Sequence, residues 1–238
     1  MGAPWPKTNK INRPKFSRNS VDMSAKWDAY YGLRGGPPWE SGGPVSQVAE
    51  ALVRGALPVG GSVLEVGCGS GATTRLLSRH YSRTVGLDIS SEALRLARSR
   101  TEAPGAGGRA IEWVLADILD ESALHSFRAA FDVVIDVQTY HALAGTIAPR
   151  EVVAAAIGDC VRPGGRLLIV AGNANEPPRL VPGPSLLTRD ELVCPFEAAG
   201  LVLGSLEATR FDATPAYGDT PPLAWVALFT KPGPLATS

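Results

Sequence analysis

From Ser46 onward the chain alternates between two hydrophobic rhythms. Stretches with apolar residues every three or four positions are separated by short, nearly continuous apolar runs, as in amphipathic helices and buried strands. Residues 46–57 place Val48, Ala49, Leu52, Val53 and Ala56 on one helical stripe, and 63–66 form a short strand. Helical spacing returns over 72–80, with Leu76 and Leu77 inward, before a strand at 84–87 and a helix over 90–100. Ser90 or Ser91 caps that helix, and Asp88 and Glu92 suit its positive end.

After a loop at 101–109, strands are predicted over 111–115, 131–137 and 166–171, with a helix over 151–160. An Arg162-Pro163-Gly164-Gly165 turn feeds the last of these strands. A helix over 188–199 opens with Thr188 and has Glu191 three residues later, the pattern of a capping box. Two long strands, 201–211 and 223–231, close the chain with no helix between them, which a hairpin at one sheet edge explains. Regular strand–helix alternation makes parallel βαβ units with helices on both faces of one sheet. The fold class is therefore α/β.

The 238 residues suit one large domain, and the 45% hydrophobic share is enough for a core. Lys plus Arg and Asp plus Glu are equal at 23, so no chain-wide field favours nucleic acid. No apolar run approaches the ~18–20 residues that span a bilayer. Cys68, Cys160 and Cys194 are scattered and show no CxxC pairing, which argues against a disulfide framework and a zinc site. A reducing, cytoplasmic setting and no metal are expected. Residues 1–20 stand apart: five Lys or Arg with no acid, beside three prolines, read as a basic disordered tail, with an organelle address as the alternative. Residues 21–238 are then the folded domain.

The chemistry concentrates in Glu65-Val66-Gly67-Cys68-Gly69-Ser70-Gly71, between a strand and a helix. Glycines there allow a tight turn and close approach to amides at a helix start. Gly67, Gly69 and Ala72 also fit a dinucleotide fingerprint, with Asp88 at the distance of its ribose acid. Glu65 separates the two readings. A carboxylate at a buried strand end is costly without a cation or several donors, and a pyrophosphate would add negative charge beside it. S-adenosylmethionine brings an ammonium and a sulfonium instead. Asp88 can accept both ribose hydroxyls, and Asp117 the adenine amino group. The three acids stand at the carboxyl ends of consecutive strands, where open α/β sheets bind ligands. Cys68 reads as a small residue filling space.

Through LEVGCGSG, VGLDIS, ADILD, FDVVIDV and VRPGGRLLIV the chain resembles class I S-adenosylmethionine-dependent methyltransferases, over Leu57 to about Ile169. The resemblance implies a Rossmann-like, seven-stranded sheet in order 3-2-1-4-5-7-6, the last strand antiparallel. It places Glu65, Gly67, Gly69 and Gly71 around the methionine portion of the cofactor, with Cys68 in the same loop. Asp88 and Ile89 would hold ribose and adenine, Asp117 and Ile118 would flank the adenine, and Val137 and Gln138 would lie under the ligand.

Trp27-Asp28-Ala29-Tyr30-Tyr31 and Pro37-Pro38-Trp39-Glu40 resemble the amino-terminal signature of the thiopurine, halide/thiol and tellurite-resistance methyltransferases, in which such a segment closes over the site. Residues 21–45 are expected to form this lid, with a helix over 21–31. Trp27, Tyr30 and Trp39 would set π surface beside a sulfonium and exclude water, or else pack the helix onto the sheet. Past the fourth strand, His141 is a candidate general base, Tyr140 a candidate orienting group, and Asp136 a second candidate base. His80 and His125 read as structural.

The activity implied is methyl transfer to a small-molecule acceptor such as a thiol or other soft nucleophile. Alternatives are a protein-lysine methyltransferase, a nicotinamide-dependent oxidoreductase and a non-catalytic cofactor-binding module. Asp136-Val137-Gln138-Thr139 lacks the motif of nucleic-acid amino methyltransferases. Neither nucleic acid nor membrane is an expected partner.

Overall fold

A computed structural model describes residues 20–103, 108–178, 185–214, 217 and 220–233. The basic tail read from residues 1–20 lies outside the described residues up to position 19. Among the described residues, no helix is long and apolar enough to cross a membrane, and no group of His, Cys, Asp and Glu is arranged to hold a metal.

Eight strands form one sheet: β1 (Gly60–Val66), β2 (Tyr81–Asp88), β3 (Ile111–Leu115), β4 (Phe131–Val137), β5 (Val161–Asn173), β6 (Leu186–Leu187), β7 (Val202–Arg210) and β8 (Leu223–Thr230). Their order is β3-β2-β1-β4-β5-β8-β7, with the two-residue β6 paired to β5. Setting β6 aside, this is the expected 3-2-1-4-5-7-6. The final strand β8 runs antiparallel to both β5 and β7. The inferred hairpin is real, and its second strand is inserted between β5 and the edge.

Alternating positions divide the core into two layers. Leu64, Val66, Val134, Leu167 and Ile169 face one layer, with α6 (Arg150–Asp159) and α7 (Arg189–Ala198) above them. Val63, Val133, Ile135 and Leu168 face the other, with α2 (Ser46–Val53) and α3 (Ala72–Leu77). Burial on both faces is what lets β1 and β4 read as continuous apolar runs. Glu65 shares the α2/α3 face with Val63, whereas Asp136 shares the opposite face with Val134.

Two helix starts form as their sequences suggest. Ser90 Oγ accepts from Ala93 N at 3.1 Å and opens α4 (Ser91–Thr101). Thr188 and Glu191 form a reciprocal capping box on α7. One expectation is corrected: Arg162–Gly165 is not a turn before the strand but lies inside β5. β5 pairs Val161 with Phe131 and Arg166 with Val133, so the intervening residues bulge out of register. Gly164 N donating to Lys231 O, and Lys231 N to Gly165 O, tie that bulge to the end of β8.

Candidate active site

The parallel register of β1, β2 and β4 brings Glu65, Asp88 and Asp136 to one end of the sheet. All three are buried, at 4%, 7% and 0% exposure. Burial pushes Glu65 up to about 8, and the Asp88 and Asp136 charges add to this, while the Thr74 hydroxyl that donates to its Oε2 opposes it. Burial likewise raises Asp88 to about 6 and Asp136 to about 7, against the amides that donate to them. Three carboxylates that each resist ionisation make a site where a cation is favoured.

The glycine loop is already bonded to acids. Gly69 N donates to Asp88 Oδ2 and Ser90 N to Oδ1, both at 2.8 Å. Ser70 N donates to Glu40 Oε1 at 3.1 Å, and Gly71 N to the Cys68 carbonyl at 2.9 Å. Amides committed to carboxylates and backbone carbonyls leave no cradle for a pyrophosphate, so the dinucleotide reading loses its physical basis. Gly67 has φ +65°, and a Cβ there would collide with the Thr139 hydroxyl, which donates to Val66 O. Cys68 is buried, its thiol pushed well up by burial, and it packs beside Gly86 as filler. Beyond the loop, an open cleft of about 410 Å³ runs along Ile89, Ser91, Leu115 and Asp117. Asp117 Oδ1 accepts from Leu119 N at 2.9 Å, and Ile118 is buried beneath.

The amino-terminal segment lies over this end of the sheet. Trp27, Tyr30 and Trp39 pack on one another, with ring centroids 4.9 to 6.0 Å apart. Three anchors were not foreseen. Asp28, on α1 (Ser20–Tyr31), accepts from Ser90 Oγ at 2.6 Å and Glu92 N at 3.0 Å, fastening α1 to the start of α4. Burial alone would raise its carboxyl, but these hydrogen bonds hold it below the ordinary value. Tyr31 sets its hydroxyl against Gly69, where any Cβ would collide with it. Glu40 also accepts from Arg100 at 3.4 Å. A signal for Tyr31 was present in the chain, since Trp27 and Tyr31 are four apart on one helical face.

Past β4, the three acid–base candidates turn away from that role. Asp136 accepts from the Thr139 and Tyr140 amides at 3.0 to 3.2 Å, holding the start of the short helix α5 (Tyr140–Leu143). Tyr140 is fully buried, packs its ring at a tilt against Phe196 with centroids 4.8 Å apart, and donates its hydroxyl to Glu191 O at 2.9 Å. It is a core residue rather than an orienting group, because the aromatic ring follows the apolar layer under α7. His141 is 4% exposed, and its Nδ1 accepts from Gly172 N at 2.9 Å. Burial drops it to about 4, so it stays neutral and makes a poor base. Val137 packs in the apolar face near Trp39. Gln138 has φ +67°, a conformation uncommon outside glycine, and its backbone N–H donates to Val170 O. His125 lies exposed on a single 3-10 turn, and His80 in the turn after α3.

A doubly covered sheet in this order, with a glycine loop after β1 and buried acids at the strand tips, is the Rossmann-like methyltransferase fold. Residues 64–169 match the family model described as a methyltransferase domain. The chain is similar to a 2-heptyl-1-hydroxyquinolin-4(1H)-one methyltransferase of Mycobacteroides abscessus, 27% identical over 180 residues, 74% of this chain and 75% of that protein. Other curated relatives are matched over little more than half their length, 56% and 53% for two of them. Among solved structures, one described as "Conversion of a Disulfide Bond into a Thioacetal Group during Echinomycin Biosynthesis" superposes with a TM-score of 0.69 at 26% identity, covering 88% of this chain and 93% of that one. The N-methyltransferase NodS of Bradyrhizobium japonicum, in complex with S-adenosylhomocysteine, shares the fold: TM-score 0.56, 20% identity, 79% and 85% coverage.

Proposed function

We propose that this protein methylates a small molecule that ionises by itself near neutral pH, a thiol or an acidic hydroxyl on a heteroaromatic ring. The observation that carries this reading is the commitment of all three candidate proton-handling groups. Asp136 holds backbone amides, Tyr140 bonds a carbonyl, and His141 bonds the Gly172 amide. An acceptor bound there must arrive as its own anion. One relative acts on such an acceptor, a hydroxyquinolone.

In this reading Glu65 and Asp88 hold the cationic and ribose portions of S-adenosylmethionine, and Asp117 and Ile89 border its adenine. The Gly67–Gly71 loop, with Cys68, passes beneath the methionine portion, and Ile118, Val137 and Gln138 complete the floor. Bound there, the cofactor supplies an electrophilic methyl group. Residues 21–45 act as the lid, with Trp27, Tyr30 and Trp39 shielding the reacting centre from water. That aromatic lid also supports a place near the thiopurine, halide/thiol and tellurite-resistance group. The apolar cluster of Val170, Phe211 and Ala224 under Trp39 favours a small acceptor over a lysine side chain.

The test is a pH profile of kcat/KM across thiols and phenols of graded acidity. The inflection is expected to move with the acceptor's own pKa. An inflection that stays in one place for every acceptor would assign deprotonation to the protein and defeat the proposal.

A further inference from the structure

We infer that His141 serves as a fixed hydrogen-bond donor, presenting Nε2–H to the anion of an aromatic acceptor and thereby selecting that class of substrate. The inference rests on the methyl-transfer reading above and adds to it the recognition of the acceptor. Gly172 N donates to Nδ1 at 2.9 Å, so Nδ1 is the acceptor nitrogen and the ring proton resides on Nε2. Nε2 has no protein partner among the described residues. Burial holds the ring neutral far below physiological pH, which keeps this tautomer across the working range. Asp136, at the same strand end, is occupied by the Thr139 and Tyr140 amides.

The groups packed around His141 are aromatic and apolar. Phe211 meets the His141 ring edge-on at 6.3 Å, and Tyr217 follows it at 6.4 Å. Val170 and Ala224 complete the wall, and Trp39 comes down on it from the lid. A flat ring lies favourably on such a surface, and its ionised oxygen or sulfur meets one oriented N–H donor. In the transfer, the acceptor anion's lone pair bonds to the methyl carbon as the carbon–sulfonium bond breaks onto sulfur, which becomes a neutral thioether. The acceptor's proton has already gone to water, and His141 keeps its own.

4-Nitrophenol, whose ionisation is read from its absorbance, is the probe, with S-adenosylhomocysteine present. The protein is expected to bind the phenolate and lower its apparent pKa. In His141→Asn the amide oxygen replaces Nδ1 for Gly172, but no donor reaches the Nε2 position, and phenolate binding is expected to weaken ~10-fold. His141→Gln places an amide nearer Nε2 and is expected to recover part of that loss. Equal phenolate affinity in the natural protein and a His141→Asn variant of unchanged melting temperature overturns the inference, as does failure of the natural protein to bind phenolate. Should the variants not fold, imidazole ¹⁵N resonances of the natural protein decide. Nε2 protonated from pH 5 to 9 supports the assignment, and Nδ1 protonation or titration near 6.5 overturns it. If the phenolate difference holds while no phenol or thiol is methylated, the donor site stands and the proposed function fails.

Discussion

The two halves of the site are assembled by different means. At the tips of β1 and β2, backbone register does the work: pairing Glu65 with Gly86 and Val66 with Leu87 brings the strand ends level. Glu65, the glycine loop and Asp88 then meet within one βαβ unit. At the tips of β4, β5 and β8, the surfaces come from Trp39, Val137, His141, Phe211 and Tyr217, spread across the chain and gathered only by folding. In the proposed reading, a cofactor common to many proteins would be held by the regular part of the fold, and the acceptor, which differs from one protein to the next, would be met by the irregular part.

The largest effect is expected at the loop itself. Gly67→Ala combines a left-handed backbone with a collision against Thr139, and is expected to cost about 2–5 kcal/mol of stability, read by chemical denaturation. A variant of unchanged stability would mean that Thr139 moves freely and the loop is looser than its contacts suggest. Asp88→Ala removes the acceptor for Gly69 N and Ser90 N, and is expected to weaken S-adenosylmethionine binding by about 1–3 kcal/mol in calorimetry. Unchanged affinity would take Asp88 out of the cofactor half.

A pH-selective effect follows for Glu65. Its carboxyl, with those of Asp136 and Asp88, titrates higher in the folded chain than its ordinary value of 4.5 or 3.8. The unfolded chain therefore holds fewer protons between about pH 4 and 8, and the free protein loses stability as pH rises through that window. Bound cation favours the ionised acids, so the rise in Tm produced by S-adenosylmethionine should grow from pH 6 to 8. Glu65→Gln is expected to make the free protein more stable at pH 8 while weakening the cofactor. A variant less stable at pH 8 than the natural chain would show that Glu65 is ionised and well solvated in the free protein.

The smallest effect contrasts the halves from the acceptor side. Tyr140→Phe loses only a hydroxyl bonded to the Glu191 carbonyl, so stability should fall by about 0.5–1.5 kcal/mol while the pH profile of kcat/KM is unchanged. A shifted profile would return Tyr140 to the reacting centre.

Legibility in the sequence followed the same division. The succession of strands and helices, the loop after β1 and the acids at the strand tips could all be read, because each depends on a few neighbouring residues, whereas the strand order came only through the family resemblance. β5 was read too short because Pro163 and two glycines look like a turn, and only pairing with β4 and β8 carries the strand through them. Tyr140 and His141 looked like reagents because nothing nearby in the chain shows that Glu191 O and Gly172 N are waiting for them. Tyr31, Glu40 and Asp28 were passed over for the converse reason: their partners lie from 30 to 64 positions away.

By itself, the amino-acid order determined the rhythm of strands and helices, the helix starts at Ser90 and Thr188, and the positions of the acids. Those features are set by backbone preference and hydrophobic period, which act over a few residues. Which polar atoms are spent on the protein's own backbone, and which stay free for a ligand, was decided only by the tertiary structure. Hydrogen bonding is short-ranged and directional, so its partners exist only once distant segments have packed against each other.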